Sequence, residues 1–167
     1  MKRTTFFLMV LLTPLLLLST VGFKQSQKDK DLILGNWKPS NGRSVVQIYK
    51  GNPQNGEDAN KYYGKIVWLS EPNDEDGNPR TDINNDDKKR QKQPLKGLVI
   101  MKDMEFEEID GRVVYWEGGT IYDPNNGSTY DFEAEIDKKN ANTMDGRGFI
   151  GVSLFGRTDT WTRLVRK

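Results

Sequence analysis

Short stretches in which apolar and polar residues alternate run through most of the chain. In Ser128 to Ile136, for example, Tyr130, Phe132 and Ala134 alternate with acidic residues. Such alternation is typical of a half-buried β-strand. Turn residues (Asn, Gly, Asp and Pro) separate these stretches at fairly even spacing, which is typical of an antiparallel barrel or sandwich and leaves no room for βαβ units.

The pattern predicts an all-β fold of about eight or nine short strands. Gly118 and Gly119 predict a bulge or sharp corner, and Asp110 and Gly111 predict a tight hairpin turn. In the third strand, Ile66 and Trp68 are expected on one face. The predicted strands cover residues 32–38, 43–50, 62–70, 97–102, 106–109, 112–116 with its extended continuation at 120–123, 128–136, 143–150 and 159–166.

Two motifs near the ends predict how the sheet closes. Gly35 and Trp37 lie on the first predicted strand, and Trp161 and Arg163 on the last. We expect the Trp37 indole to stack on the Arg163 guanidinium, an interaction worth about 0.5–2 kcal/mol. The pairing resembles the calycins, the superfamily of lipocalins and avidins, and this resemblance implies a single antiparallel up-and-down β-barrel. The alternative is an ordinary core Trp and a solvated Arg.

A closer resemblance covers nearly the whole chain from residue 35 onward. The segments that carry it are Gly35–Trp37, Tyr63–Leu69, Asp82–Asn85, Pro94–Leu98, Gly118–Pro124 with Gly127–Tyr130, and Arg147–Arg157 running into Thr160–Arg163. Together these segments are similar to the DUF2147 family, exported bacterial proteins of unknown function. The resemblance implies a small lipocalin-like β domain in the periplasm or outside the cell, and it implies no activity. Gln93 stands where the family commonly has Arg, which argues against an anion-binding role there.

The N-terminal segment predicts export. Lys2 and Arg3 precede an apolar run over residues 6–18, and small residues follow at positions 20–22. This is the pattern of a signal peptide over residues 1–22, and the run is shorter than the ~20 residues of a membrane span. We expect a flexible leader at 23–30, a barrel domain at 31–167, no stable membrane insertion after cleavage, and a periplasmic or secreted location. With no Cys after the run, a lipoprotein is excluded.

Composition removes several classes of chemistry. The chain has no His and no Cys, so Ser-His and Cys-His nucleophile pairs are excluded and a zinc site would need carboxylates alone. The net charge is +1 and stays near neutral on signal removal, which argues against nucleic acid as a partner. We expect neither cofactor nor metal.

The longest irregular stretch, residues 71–96, predicts a loop that partly covers the barrel mouth. Asn85 and Asp86 could cap a short helical turn there. Asp82 and Asn84, among acidic neighbours, suit either Ca²⁺ or turn chemistry. The EF-hand spacing is not met, so we favour turn chemistry.

Further candidates lie in the second half of the chain. Tyr122 and Asp123 could form an acid/base pair, or Asp123 could simply start a turn. Arg147 and Arg157 bracket a glycine-rich segment and could clamp an anion, or lie with their stems on the barrel exterior. The candidate ligand-binding residues are Trp68, Asp82, Asn84, Tyr122, Asp123, Arg147 and Arg157.

Three functions fit these observations. The first is a non-enzymatic, exported module that binds a small apolar ligand with a polar or anionic end. The second is an envelope interaction protein with a filled barrel. The third is a hydrolase that uses paired carboxylates.

Overall fold

The computed structural model describes residues 27–108 and 111–165. The predicted signal peptide lies outside the described residues, as does Asp110 of the predicted hairpin turn. Residues 27–30, within the predicted leader, form a helical turn, and a 3₁₀ turn follows at Asp31–Ile33. All strands belong to one compact unit, Leu32–Lys167.

Eight antiparallel strands form a closed up-and-down barrel, which confirms the predicted fold class. Each strand pairs with the next, and the last strand returns to pair with the first. The strands are β1 (Gly35–Lys38), β2 (Ser44–Lys50), β3 (Tyr62–Leu69), β4 (Val99–Glu108), β5 (Val113–Asp123), β6 (Ser128–Asp137), β7 (Thr143–Phe149) and β8 (Arg157–Arg163).

Two predicted strands are continuous in the structure. Residues 99–102 and 106–108 of the strands predicted at 97–102 and 106–109 are both part of β4, in which Asp103 has a φ of 59°. The predicted bulge occurs within β5, whose register against β6 shifts between Trp116 and Gly119. A Cβ at Gly119 would lie 2.4 Å from the Lys102 carbonyl oxygen, so the close approach of β4 and β5 requires glycine.

The barrel seam joins β1 to β8 as the two terminal motifs predict. Trp37 pairs with Arg163 in register, and the Arg163 Cζ lies 4.1 Å from the centroid of the Trp37 ring. Trp37 Nε1 donates to the Ile33 carbonyl at 2.7 Å. Gly35 has a φ of 125°, and a Cβ there would lie 3.1 Å from Arg163 Nη1, so glycine leaves room for the guanidinium.

The two ends of the barrel differ. At the end where β1 begins and β8 finishes, large side chains fill the interior. The opposite end carries the connections β1–β2, β3–β4, β5–β6 and β7–β8, because alternate connections of an up-and-down barrel share an end. We call the first the closed end and the second the mouth. The residues that fill the closed half are Ile33, Trp37, Ile48, Tyr62, Met104, Val114, Trp116, Ile136 and Met144.

Candidate functional site

A cavity of about 690 Å³ opens at the mouth and extends into the barrel. Its deep wall is apolar and includes Ile66, Ile121, Phe132 and Trp161. Trp161 lies inward on β8 with its ring 6.2 Å from that of Phe132, so this residue of the closure motif also lines the cavity. Pockets of about 300–1,000 Å³ hold small molecules.

Glycines on β7 keep this half of the barrel open. Gly146 and Gly148 both line the cavity. A Cβ at Gly148 would meet Ile121 and Tyr130 only at ordinary contact distances of 3.8 and 3.7 Å, whereas one at Gly146 would lie 2.6 Å from the Phe132 ring. A larger side chain at position 148 would therefore extend into the cavity space.

Charged side chains stand at the rim of the cavity. Arg157 and Asp159 line it from β8, and Arg43 lines it from the start of β2. Asp159 Oδ2 accepts a hydrogen bond of 3.4 Å from the Ser40 backbone N–H. Arg43 is absent from the sequence-based candidates. Asn41 and Gly42, a dipeptide typical of hairpin turns, directly precede it. That position, at the end of a strand, is the signal that could have found Arg43.

The structure separates the two arginines of the predicted clamp. Gly148 pairs with Arg157 and Arg147 with Thr158, so Arg147 and Arg157 lie on opposite faces of the β7–β8 ribbon. Arg147 Nη1 donates to Thr158 Oγ1 at 2.8 Å, and Arg147 is not among the residues that line the cavity. The two arginines belong to consecutive cross-strand pairs, and consecutive pairs point to opposite faces of a ribbon because side chains alternate along each strand.

Trp68 also lies away from the cavity. The register of β2 against β3 shifts between Val45 and Val46, which directs Leu69 rather than Trp68 to the cavity lining. Trp68 is 47% exposed. The expectation that Ile66 and Trp68 share a face is therefore wrong, because the bulge breaks the alternation.

Asp82 fastens the long loop to the barrel. Its side chain is fully buried and accepts hydrogen bonds of 2.7 Å from the Tyr122 hydroxyl and from Asn85 Nδ2. Asn84 Nδ2 donates to the carbonyls of Pro124 and Asn125 at 2.9 and 3.0 Å. Asp82 and Asn84 are thus brought to the β5–β6 turn, but neither lines the cavity.

Tyr122 contacts Asp82 rather than Asp123. Burial and the hydrogen bond to Asp82 raise the pKa of Tyr122 to about 12, so its phenol is protonated at neutral pH and acts as a donor. Asp123 Oδ1 accepts hydrogen bonds from the Asn125 backbone N–H at 2.9 Å and from its side chain at 2.7 Å. Tyr122 and Asp123 both line the cavity, yet Asp123 is engaged in the turn.

Acidic residues of the long loop perform turn chemistry. Asp74 Oδ1 accepts from the backbone N–H groups of Asp76 and Asn78, and Asp87 Oδ1 accepts from that of Lys89. The segment after Asp87 forms consecutive turns rather than a helix. Among residues 27–108 and 111–165, no cluster of three or more His, Cys, Asp or Glu side chains could hold a metal ion. No helix in this part of the chain has the length and apolar character needed to cross a membrane.

A closed eight-stranded barrel with one packed end and one open end defines a lipocalin-like class of protein. A solved structure agrees: the protein HP1028 from the human pathogen Helicobacter pylori, described as belonging to the lipocalin family, superimposes with a TM-score of 0.60 at 21% identity, over 80% of this chain and 83% of that one. At that identity the likeness concerns the fold alone. Residues 35–163 match the model of an uncharacterized protein family conserved in bacteria, and the chain belongs to this family, DUF2147. No curated protein matches the chain.

Proposed function

We propose that this protein is an exported module that binds a small molecule inside its barrel. The observation that carries the proposal is the cavity of about 690 Å³, which is lined by apolar side chains in its depth and open at the mouth. An eight-stranded barrel either fills its interior with side chains or holds one small ligand. Here large side chains fill only the closed half.

The lining favours an apolar ligand with an anionic end. Ile121, Phe132 and Trp161 offer an apolar wall to the body of the ligand. Arg43 and Arg157 stand at the rim, where a carboxylate, sulfonate or phosphate would keep partial contact with water. Tyr122 adds aromatic surface at the rim, held in place by its hydrogen bond to Asp82.

The two alternative functions have weaker support. A filled barrel that only presents a surface would not need glycine at position 148, where a Cβ would make only ordinary contacts and the residue faces the cavity. A carboxylate-based hydrolase would use Asp123 and Asp159, the carboxylates of the lining, but both accept hydrogen bonds from neighbouring backbone N–H groups. That geometry favours a structural role for both.

A cavity-filling substitution tests the proposal. We expect Gly148→Leu to weaken binding of anilinonaphthalene sulfonate, an apolar fluorophore with an anionic end, by about tenfold or more, because the new side chain would occupy the cavity. Thr162→Leu is the matched control, since Thr162 is exposed and lies outside the cavity lining. Fluorescence titration gives the affinities, and thermal unfolding verifies that both variants fold.

Equal affinity of Gly148→Leu and the unaltered protein would contradict binding inside the barrel. A second comparison tests the anionic end: Arg157→Gln should weaken the sulfonate but not phenylnaphthylamine, its uncharged counterpart, because only the sulfonate gains from the guanidinium. Native mass spectrometry of the protein purified from the cell envelope would then show the mass of a natural ligand.

Export is part of the proposal and has its own test. Its support is the basic start at Lys2 and Arg3, the apolar run over 6–18 and the small residues before Phe23. N-terminal sequencing of the envelope-purified protein should begin at Phe23. A mature protein that still begins at Met1 would overturn the proposed export by signal cleavage.

A further inference from the structure

The loop between β7 and β8 presents apolar side chains to solvent at the mouth. Leu154 and Phe155 are 81% and 82% exposed, and Ile150 and Val152 are also exposed. No charged residue occurs in residues 148–156. Single exposed apolar side chains are ordinary, but a cluster of four in one short loop is typical of a contact surface for a membrane or another molecule. We call residues 150–156 the apolar loop.

Several polar groups of the apolar loop have hydrogen-bond partners within the protein. Arg147 Nε donates to the Ser153 carbonyl at 2.6 Å, and its Nη2 donates to the Leu154 carbonyl at 3.1 Å. The Ser153 hydroxyl donates to Glu133 Oε1 at 2.5 Å. Because hydrocarbon offers no hydrogen bonds, a loop enters it readily only when its polar groups already have partners. Arg147 therefore holds the loop in a shape that suits a lipid surface.

The same end of the barrel carries a run of cations. Residues 88–96 of the β3–β4 loop contain five basic residues and no acidic one, while the acidic residues of this loop lie in 71–87. We call residues 88–96 the basic segment. Charges act over about 8–10 Å at physiological salt, so the basic segment attracts an anionic surface that comes within this distance. The basic residues, all exposed, are Lys88, Lys89, Arg90, Lys92 and Lys96.

We propose that the mouth of the barrel docks reversibly onto the surface of an anionic phospholipid bilayer. The apolar loop enters the interfacial region, and the basic segment contacts the headgroups, the combination that characterises interfacial binding. Ile150 and Phe155 belong both to the apolar loop and to the cavity lining. Docking in this orientation turns the cavity opening toward the lipid. This proposal does not depend on which molecule the cavity binds.

Co-sedimentation with vesicles tests the docking. We expect the full protein to bind vesicles of phosphatidylcholine mixed with phosphatidylglycerol, to bind pure phosphatidylcholine more weakly, and to lose affinity as salt rises. Leu154→Asp and Phe155→Asp should each weaken binding by about tenfold or more, because a charge opposes entry into the interface. The matched control is Val165→Asp, which changes a side chain of 69% exposure just beyond β8, at the closed end.

Three outcomes would overturn the proposal. The first is an absence of binding to either vesicle. The second is an equal loss in Val165→Asp, which would mean that the apolar loop has no special part. The third is a dimer in sedimentation equilibrium that Leu154→Asp dissociates, because the loop would then contact a second copy of the chain. None of these measurements uses a cavity ligand, so their failure is distinct from failure of the proposed small-molecule binding.

Discussion

At the scale of single residues, Arg163 connects several segments at the closed end of the barrel. It lies over the Trp37 ring and donates from Nε to the Ala141 carbonyl at 2.9 Å and from Nη1 to the Leu34 carbonyl at 2.7 Å. Its Nη2 donates to the Leu32 carbonyl. Burial lowers the pKa of Arg163, but arginine remains charged at any physiological pH. One guanidinium thus donates hydrogen bonds to carbonyls of two separate segments.

Replacement of Arg163 by Met should destabilise the barrel substantially. The variant keeps an apolar side chain over Trp37 but leaves the carbonyls of Leu32, Leu34 and Ala141 without their donor, so we expect the free energy of unfolding to fall by about 2–4 kcal/mol. Arg112→Met is the control: Arg112 is exposed and pairs with Asp137 at 2.6 Å, and such surface pairs contribute about 0–1 kcal/mol. Denaturant unfolding measures both, and equal losses would contradict the role given to Arg163.

At the scale of elements, most residues of the β3–β4 loop are exposed, and Asp82 is a buried anchor between this loop and the barrel. Asp82 of the loop bonds Tyr122 of β5, and Asn84 of the loop bonds the β5–β6 turn. The basic residues of the loop lie on exposed turns. Segments with few buried contacts open locally at low free-energy cost. The hydrogen bond between Tyr122 and Asp82 should therefore control how often the loop opens.

Limited trypsin digestion can test this control, because Lys88, Lys89 and Arg90 are cleavage sites within the loop. Tyr122→Phe removes the hydroxyl that bonds Asp82. We expect cleavage in the loop to be about 5–30-fold faster, because a loss of about 1–2 kcal/mol raises the population of the open loop by that factor. Tyr63→Phe is the matched control, since its hydroxyl donates to Asp103 at 2.6 Å near the closed end. Cleavage at the same rate in both variants would contradict the assignment.

Elements that depend on regular alternation could be predicted from the sequence, and those that depend on irregularities could not. Alternation was sufficient for the strands, because it follows from the period of a strand. The closed barrel and its seam were implied by the resemblance of the two terminal motifs to the calycins. The inverted face of Trp68 follows from a bulge within β3, where Val67 is an extra residue between Ile66 and Trp68, and the alternation of apolar residues does not show such an insertion. The partners of Arg147, the carbonyls of Ser153 and Leu154, depend on the folded shape of a loop.

At the scale of the whole molecule, the closed half of the barrel provides most of the stability and the mouth half provides access to the cavity. Large side chains pack around Trp37 and Trp116 in the closed half, where apolar burial stabilises the fold at about 25 cal/mol per Å². The mouth half leaves its apolar wall beside a cavity and so contributes less. A chain without disulfides can keep an open cavity in this way, because the packed half maintains the barrel.

Three tyrosines with raised pKa values make the molecule sensitive to alkaline pH. Burial, followed by hydrogen bonds to carboxylates, raises the pKa of Tyr49, Tyr63 and Tyr122, with Glu57, Asp103 and Asp82 as the partners. Below about pH 10 these phenols are protonated in both the folded and the unfolded chain, so the stability that they contribute is fully present. Above that pH the unfolded chain releases its protons first, and the free energy of unfolding should fall steadily toward pH 12 and beyond.

Two measurements check this pH dependence. Denaturant unfolding from about pH 8 to about pH 12 should show a plateau and then a decline that begins near pH 10. Absorbance of ionised tyrosine in the native protein should show at least three phenols that titrate later than they do in denaturant, and Tyr122→Phe should remove one of them. A stability that stays constant through pH 12, or native tyrosines that all titrate at the ordinary value, would contradict the prediction. Because Tyr122 fastens the long loop and Tyr63 lies near the closed end, the order in which the phenols ionise would also show which half of the barrel opens first.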